Sequence, residues 1–275
     1  MKYINSKYMG FKTELLKNLI PPLFLKMYRS KYLKGRYFNW KSAQKQASGY
    51  DDDLILEKVK DSLEKVKNGE KAYERDSVLF DDIQYSWPLL SLLLWIATKN
   101  DNKLNVIDFG GSLGSSFFQN INFLKQLKEL RWNIVEQKKF TDCGKKYFQN
   151  DNLKFYYSLA DCCKENESQV VLLSGVLQYL EQPYKLLDQI SEFGIKYIII
   201  DRTPLHNKDD DFISIQKVPA KIYKASYPCW LFGRKKLFKY IDKNYNALVE
   251  FDSLDNLSLR GININYKGFL LERKK

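Results

Sequence analysis

The feature that most constrains this chain is a glycine-rich turn between an apolar run and a helical pattern. Residues 104–116 read Leu-Asn-Val-Ile-Asp-Phe-Gly-Gly-Ser-Leu-Gly-Ser-Ser. Val106 and Ile107 predict a short buried strand that ends at Asp108, and the glycines follow. Glycine lets the backbone approach a ligand and take φ > 0, and the next helix offers unpaired N–H groups at its start. A strand, a tight turn and a helix in this order predict the ligand edge of a doubly wound α/β sheet.

The spacing within the turn separates two classes of cofactor. A dinucleotide fingerprint G-x-G-x-x-G that began at Gly110 would need two further glycines at positions where the chain has serine. The frame D-x-G-x-G-x-G is similar to that of S-adenosylmethionine (SAM) enzymes, and here Asp108, Gly110 and Gly114 match it. Ser112 replaces the middle glycine, and Gly111 lies beside it. The spacing therefore favours SAM over NAD; the alternative is a glycine loop that only turns the chain.

The charge of the chain is concentrated at its N-terminus. The 275 residues carry a formal net charge of +12. Residues 1–50 contain 11 Lys/Arg and one acidic residue, Glu14, which accounts for +10 of that charge. The remaining 225 residues are nearly neutral, so the overall charge is not a nucleic-acid signal for the body of the protein. We therefore predict a basic N-terminal arm at residues 1–50 and a ligand-binding domain at residues 51–275.

The N-terminal arm contains an amphipathic pattern. Residues 12–34 alternate leucines with lysines and are broken at Pro21-Pro22, which predicts two helical pieces. Such a segment, taken as residues 12–36, can lie on an anionic membrane face or on an acidic partner; the alternative is a helical extension that packs on the domain. No apolar stretch has the roughly 18–20 residues of a membrane span, and we expect a cytoplasmic protein, peripheral at most to the inner membrane face. The four cysteines show neither C-x-x-C nor metal spacing, so we expect reduced thiols and no metal.

Strand and helix patterns alternate along the body of the chain. Helices are predicted at 51–68, 86–97, 115–130, 184–193 and 233–244. Strands are predicted at 104–108, 133–137, 153–157, 169–174 and 197–204, with two more near 247–252 and 265–272. The alternation predicts an α/β fold with a doubly wound, mostly parallel sheet of seven strands. Residues 205–231 interrupt it and predict an insertion that shapes a substrate pocket.

Several predicted site residues fall at strand ends, which meet at one edge of a parallel sheet. Glu136 ends the second strand, where a carboxylate can accept both ribose hydroxyls of an adenosine cofactor; the alternative is an exposed glutamate. Ser158 and Leu159 follow the third strand and are predicted to border the adenine. Ser174 and Gly175 follow the fourth.

Two further stretches lie near this predicted edge. Tyr85, at the entrance of the leucine-rich helix, is predicted near the methionine end of the cofactor. The segment Glu74-Arg75-Asp76-Ser77 is a dense charged turn, which is either a solvated loop or a lid element over the site.

The whole pattern resembles a known family. Five βα units and a terminal strand pair are similar to the class I SAM-dependent methyltransferases. The stretches 108–116, 135–137, 172–184, 200–204 and 226–230 are together similar to a bacterial family of methyltransferases found in surface-polysaccharide gene clusters. This resemblance covers roughly residues 38–273. It implies SAM as cofactor and a glycan or glycan precursor as acceptor, but it assigns no catalytic roles.

Candidate catalytic residues follow the fifth strand. Methyl transfer from a sulfonium is an in-line displacement, and a sugar hydroxyl also needs a base within hydrogen-bond reach. His206, the single histidine, is one candidate base and Asp201 is the other. Arg202 is predicted to hold an anionic acceptor such as a sugar phosphate. The alternatives are an exposed loop histidine and a structural Asp201–Arg202 ion pair.

Three functions compete at this point. The first is O-methylation of a saccharide or related small acceptor. The second is methylation of RNA, with the basic arm as an electrostatic handle. Because the body of the protein is nearly neutral, we expect a nucleic-acid partner less than a small-molecule or glycan acceptor. The third is a SAM-fold scaffold subunit without turnover. The sequence does not indicate the oligomeric state.

Overall fold

The computed structural model describes residues 32–49, 52–219, 225–253, 255, 259 and 262–275. The predicted helices of the N-terminal arm lie outside these residues, except that the end of the 12–34 segment enters a strand. Within the described part of the chain, every helix is too short or too polar to cross a membrane.

The described elements alternate largely as the sequence predicts. The helices are α1 (Trp40–Gln46), α2 (Asp52–Lys67), α3 (Trp87–Thr98), α4 (Ser115–Leu124), α5 (Lys138–Tyr147), α6 (Leu159–Glu165), α7 (Pro183–Glu192) and α8 (Arg234–Ile241). The strands are β1 (Leu33–Tyr37), β2 (Tyr73–Arg75), β3 (Val78–Phe80), β4 (Lys103–Phe109), β5 (Glu129–Val135), β6 (Leu153–Tyr156), β7 (Val170–Ser174), β8 (Tyr197–His206), β9 (Phe212–Lys217), β10 (Ser226–Gly233), β11 (Tyr245–Asp252) and β12 (Asn265–Arg273). A single 3-10 turn, Leu177–Tyr179, follows β7.

The core of the fold is a seven-stranded sheet with the order β6-β5-β4-β7-β8-β12-β11. The pairs β5–β6, β4–β5, β4–β7 and β7–β8 are parallel, while β12 is antiparallel to both β8 and β11. The strand order reverses between β4 and β7, and this is where an open α/β sheet forms a crevice outside its carboxyl ends. The predicted doubly wound, mostly parallel α/β fold is confirmed.

Both faces of this sheet are buried by helices. Val106 belongs to the apolar cluster on the face of α2–α5, and the next residue, Ile107, belongs to the cluster on the face of α6–α8. Successive side chains of a strand point to opposite faces, so a strand covered on both sides reads as a continuous apolar run. The same holds for β8, whose residues Tyr197–Asp201 are all buried.

A second, antiparallel group of strands lies next to the carboxyl end of β7. Strand β9 pairs with β1 on one side and with β10 on the other. We call β1, β9 and β10 the antiparallel layer. It joins the core sheet where Phe232 and Gly233 at the end of β10 pair with the last two residues of β8. Helix α1 packs on the layer, and the Trp40 and Trp230 rings stack with centroids 6.1 Å apart.

The antiparallel layer combines two distant parts of the chain. Strands β9 and β10 come from the predicted insertion, while β1 and α1 come from within the predicted N-terminal arm. The sequence predicts neither this pairing nor β1, since the partner strands are far apart along the chain.

Candidate functional site

A large cleft of about 1380 Å³ lies along the carboxyl edge of the sheet, at the strand-order reversal. The ends of β4, β5, β6 and β7 line it, together with the middle of β8, the hairpin β2–β3, helix α1 and the antiparallel layer. We divide it into two parts. The β4–β6 half comprises the lining residues at the ends of β4, β5 and β6. The β7–β8 half comprises Ser174, Gly175, Asp201 and Arg202, with the hairpin tip, Asp255, the antiparallel layer and Tyr266.

The glycine turn forms the floor of the β4–β6 half. Gly110 has φ +71°, and a Cβ there would lie 2.5 Å from Val176 Cγ2. A Cβ on Gly111 would lie 2.5 Å from Asp108 Cγ. Both positions therefore need glycine, and the backbone is left open to the cleft. Ser112, which replaces the middle glycine of the D-x-G-x-G-x-G frame, also has a positive φ of 56°. A glycine would take this conformation with less strain.

Asp108 is buried beneath this turn. Its side chain is 1% exposed, and Oδ2 accepts a hydrogen bond of 3.0 Å from Trp132 Nε1. Burial raises the pKa of the carboxyl to about 7, the Trp132 hydrogen bond works against this rise, and the nearby Glu136 charge adds to it. The sequence does not suggest Trp132 as a partner, because the contact crosses from β5 to β4 and depends on strand register.

Three further predicted residues, which follow β5 and β6, also line the cleft. Glu136 follows β5 and accepts a hydrogen bond of 2.6 Å from Gln137 N. Ser158 caps α6: its Oγ accepts from Asp161 N at 3.1 Å and donates to Asp161 Oδ2 at 2.7 Å. Leu159 lies beside it. The cleft therefore brings together the turn after β4 with the ends of β5 and β6.

Two residues predicted for this site do not line the cleft. Tyr85 packs instead against Trp87 and Phe123, with ring centroids 4.8 and 5.2 Å away. This packing does not fit the predicted place of Tyr85 near the cofactor, and Ser86 and Leu89 line the cleft at that end of α3. Gly114 caps α4 with φ +109°, and a Cβ there would meet Leu153 Cδ2 at 3.3 Å, in the core beneath the turn.

The β7–β8 half starts at Ser174 and Gly175, which both line the cleft. Ser174 pairs with Asp201 across the parallel strands, and Gly175 N donates to Asp201 O at 3.0 Å. Gly175 has φ +66° and lies under the guanidinium of Arg202, which a Cβ would approach to 3.5 Å. Ser174 and Gly175 at the end of β7 therefore lie directly beside Asp201 and Arg202 of β8.

Asp201 is 3% exposed, and its Oδ1 accepts hydrogen bonds from Ser253 Oγ at 2.6 Å and Arg202 N at 2.7 Å. Burial raises the pKa of this carboxyl, and the Ser253 hydrogen bond opposes the rise. Asp201 lines the cleft beside the end of β7. A carboxylate with a raised pKa at this place is a better proton acceptor than an exposed one.

Arg202 is held between two carboxylates. Its Nε donates to Asp255 Oδ2 at 2.5 Å, and its Nη2 donates to Asp76 Oδ2 at 2.9 Å. Burial disfavours the guanidinium charge, but the two carboxylates outweigh this effect and hold the Arg202 pKa well above its usual range. The predicted role in holding an anionic acceptor does not fit this geometry, because the positive charge is already neutralised.

His206 does not lie in the cleft. It is 1% exposed, its Nε2 is 3.0 Å from Leu231 O, and its Nδ1 accepts a hydrogen bond of 3.1 Å from Lys208 N. Strand β8 continues beyond the cleft edge and pairs there with β10, which buries the ring. Burial lowers the pKa of His206. The prediction of His206 as a general base is therefore wrong for this structure.

The hairpin β2–β3 supplies residues that the sequence indicates only as a charged turn. Glu74 is 1% exposed, accepts from Ser115 Oγ at 2.5 Å and from Ser77 N at 2.6 Å, and lines the cleft. Asp76 at the hairpin tip reaches Arg202. Of the two readings of this segment, a lid element over the site fits the structure better than a solvated loop.

Within the described residues, no group of three or more His, Cys, Asp or Glu side chains is arranged to hold a metal ion. Seven carboxyl side chains and two arginines line the cleft, and no lysine among the described residues does.

The sequence matches no protein-family model and no curated protein. Solved structures with a similar arrangement include the following three. The N-terminal domain of EvdMO1, determined in the presence of SAH and D-fucose, is 12% identical, over 82% of this chain and 98% of that domain, with a TM-score of 0.48. An S-adenosylmethionine-dependent methyltransferase from Clostridium acetobutylicum ATCC 824 is 12% identical, over 70% and 92%, with a TM-score of 0.44. The Burkholderia thailandensis 1,6-didemethyltoxoflavin-N1-methyltransferase is 10% identical, over 83% and 92%, with a TM-score of 0.42.

Proposed function

We propose that this chain is a SAM-dependent methyltransferase, with the cofactor in the β4–β6 half of the cleft and the acceptor in the β7–β8 half. One observation carries the proposal: the glycine turn after β4, Glu136 after β5 and the Ser158 cap after β6 line one continuous cleft at the strand-order reversal. That is the order in which an adenosine cofactor needs a close backbone approach, a ribose carboxylate and an adenine border.

The chain's residues fit this cofactor. Gly110 and Gly111 leave space that a Cβ would fill, against Val176 and against the Asp108 carboxyl respectively. The carboxylate of Glu136 is suited to two vicinal hydroxyls. The spacing of the turn supports SAM over NAD, because two glycines of the dinucleotide fingerprint are absent.

The acceptor chemistry is assigned to the β7–β8 half. Bound SAM would supply an electrophilic methyl group, and the protein's part is to align the acceptor and remove its proton. We assign Asp201 as the general base, since it lines the cleft beside the end of β7 and its pKa is raised. Ser253 and the Arg202 backbone hold one of its oxygens and fix its orientation. The acceptor that we propose is a saccharide or glycan precursor methylated on oxygen.

The cofactor is tested by titration with S-adenosylhomocysteine, read by calorimetry and by thermal unfolding, with NAD as the control ligand. Ligand at about 100 times its dissociation constant should stabilise the fold by about 2.7 kcal/mol, which raises the Tm by roughly 5–10 °C for a domain of this size. Glu136→Ala should weaken this binding. A well-folded protein that does not bind S-adenosylhomocysteine would overturn the proposal and favour a scaffold without turnover.

The base is tested with Asp201→Asn in an acceptor screen with SAM. On any hydroxyl acceptor that supports turnover, the loss of a general base should lower kcat by about 10²–10⁴-fold, with S-adenosylhomocysteine affinity unchanged within about twofold. Asp209→Asn, on the exposed turn after β8, is the matched control. If Asp201→Asn retains the wild-type kcat, another group removes the proton.

A further inference from the structure

The β7–β8 half of the cleft has a charge opposite to that of the chain. Three carboxyl side chains, Asp76, Asp201 and Asp255, line it near the guanidinium of Arg202. Two of them neutralise that guanidinium at 2.9 and 2.5 Å. With Arg75 beside Asp76 also counted, the local charge is −1, or zero where Asp201 is protonated, although the chain as a whole carries +12.

A phosphorylated ligand brings about −1.5 to −2 charges at neutral pH. Bringing such a group against Asp76 and Asp255 is unfavourable, since like charges repel strongly in a partly buried site. Arg202 cannot offset this without breaking two ion pairs. By contrast, a neutral hydroxyl or an ammonium group finds carboxylate acceptors on this wall.

The same wall holds two buried hydroxyls without a partner. Tyr266 lines the cleft, its side chain is 6% exposed, and its Oη has no hydrogen-bond partner among the described residues. The Oγ of Ser77, a lining residue on the hairpin tip, is also buried and has no hydrogen-bond partner within the described residues. Buried polar groups are nearly always paired in folded proteins, so these two hydroxyls point to a ligand that completes them.

Aromatic side chains complete this pocket. The rings of Tyr179 and Tyr227 meet edge to face with centroids 5.1 Å apart, and both line the cleft beside Tyr266. Tyr179 Oη donates to Gln216 Oε1 at 2.9 Å, which fixes its ring. Burial raises the pKa of the Tyr266 hydroxyl well above its usual value, so it remains a donor.

We infer that the β7–β8 half binds its acceptor as an uncharged or cationic hydroxylated molecule that takes a hydrogen bond from Tyr266, and that it excludes phosphorylated forms of the same molecule. This inference rests on the proposed function and narrows it: free or amino-substituted sugar units fit the pocket, whereas sugar phosphates do not.

The test uses the full chain saturated with S-adenosylhomocysteine and three probes that differ by one group: D-glucose, D-glucosamine and D-glucose 6-phosphate. Binding is measured by ligand-observed NMR titration. We expect glucose and glucosamine to bind at least about tenfold more tightly than glucose 6-phosphate, because only the last carries a phosphate.

Tyr266→Phe removes the unpartnered hydroxyl and keeps the ring. We expect it to weaken the two unphosphorylated probes by roughly 3–10-fold, as the loss of one hydrogen bond does, and to leave S-adenosylhomocysteine affinity within about twofold. The change removes no hydrogen bond within the described residues, so the fold should tolerate it. Tyr240→Phe is the matched control, because Tyr240 lies outside the cleft and its Oη bonds to Asp188.

Three outcomes would overturn the inference: glucose 6-phosphate binding as tightly as glucose, no binding of any probe, or Tyr266→Phe binding as the wild type does. Because the probes are added to protein that already holds S-adenosylhomocysteine, such a failure is separate from a failure of the proposed function, in which the first ligand would not bind.

Discussion

Asp108 lies in an unusual electrostatic environment for a carboxyl group: it is buried under a glycine turn, and the indole N–H of Trp132 is its one hydrogen-bond donor among the described residues. Its pKa is raised from an ordinary 3.8 to about 7. The proton is therefore bound more tightly in the folded protein than in the unfolded chain. Stability from this group is full below about pH 4 and is lost as the pH rises towards 7.

This gives a prediction for Asp108→Asn. The amide stays neutral and keeps an oxygen for Trp132, so the variant should lose less stability than the wild type between pH 4 and pH 7. The difference between the two curves over that range should be on the order of 3 kcal/mol. It is measured by urea unfolding at a series of pH values.

Asp151→Asn, on an exposed turn, serves as the control and should follow the wild-type curve. Parallel curves for Asp108→Asn and the wild type would mean that folding does not raise the pKa of Asp108, so that its carboxyl is ionised in the folded protein across this pH range.

For individual residues, the sequence predicted which side chains lie at strand ends better than it predicted which groups those side chains contact. Asp108, Glu136 and Ser158 line the cleft because a parallel sheet brings its carboxyl ends to one edge, a rule that needs no coordinates. His206 was misplaced because β8 runs on past that edge to pair with β10, and the pairing depends on an insertion whose path the sequence does not indicate. Tyr266 was missed and Glu74 was indicated only as part of a charged turn, because both come from elements distant from the glycine turn.

Among the elements, the hairpin β2–β3 has the most direct effect on access to the cleft. It consists of two three-residue strands. Glu74 anchors it near the start of α4, and the Asp76–Arg202 ion pair joins its tip to the opposite side of the cleft. Asp76 is partly exposed, so its ion pair with Arg202 stabilises the position of the hairpin tip only weakly, by roughly 0.2–1 kcal/mol.

We therefore expect Asp76→Asn to loosen the hairpin without unfolding the domain. Amide hydrogen exchange in residues 73–80 should accelerate by about 2–5-fold, in line with that ion-pair energy, while exchange in β4 stays unchanged. Asp81→Asn is the matched control, because Asp81 pairs with Lys71 at the open end of the same hairpin, with 84% of its side chain exposed. Equal exchange in both variants would show that the tip contact does not hold the hairpin.

The elements themselves show where periodicity is informative. The predicted helix 51–68 and the buried strand 197–204 correspond closely to α2 and β8, since each is long and has a clear apolar pattern. The helix after the glycine turn was predicted to end at 130 but ends at Leu124, and β5 begins at Glu129. Strands β1, β2 and β3 were not predicted, because short strands in charged sequence depend on their partners more than on their own residues.

For the whole molecule, the cleft lining and the N-terminal sequence differ in charge. The cleft has seven acidic and two basic side chains on its lining, while residues 1–50 hold +10 of the net charge. Among the described residues, no lysine lines the cleft. This difference is compatible with a basic segment that contacts an acidic surface while the cleft takes a ligand that is not anionic.

The membrane expectation for residues 12–36 can be tested on the full chain with vesicles. Replacing Lys12, Lys17 and Lys26 by glutamine should reduce binding to vesicles containing anionic lipid on the order of 100-fold, at about 1 kcal/mol for each lysine near the surface. The same number of charges removed from α8, at Lys235, Lys236 and Lys239, is the control and should change binding much less. Equal losses in both variants would indicate an effect of net charge alone.

The antiparallel layer also has a consequence for synthesis on the ribosome. Leu33 pairs with Gln216, so β1 leaves the exit tunnel long before its partner strand exists. The strands that carry the glycine turn, Glu136 and Ser158 lie between these two points and can pair first, as N-terminal units generally do during translation. Closing a loop of roughly 180 residues around the parallel strands β4–β8 is then a later step. The ligand-facing wall of the nascent protein is therefore completed after the parallel strands that support it.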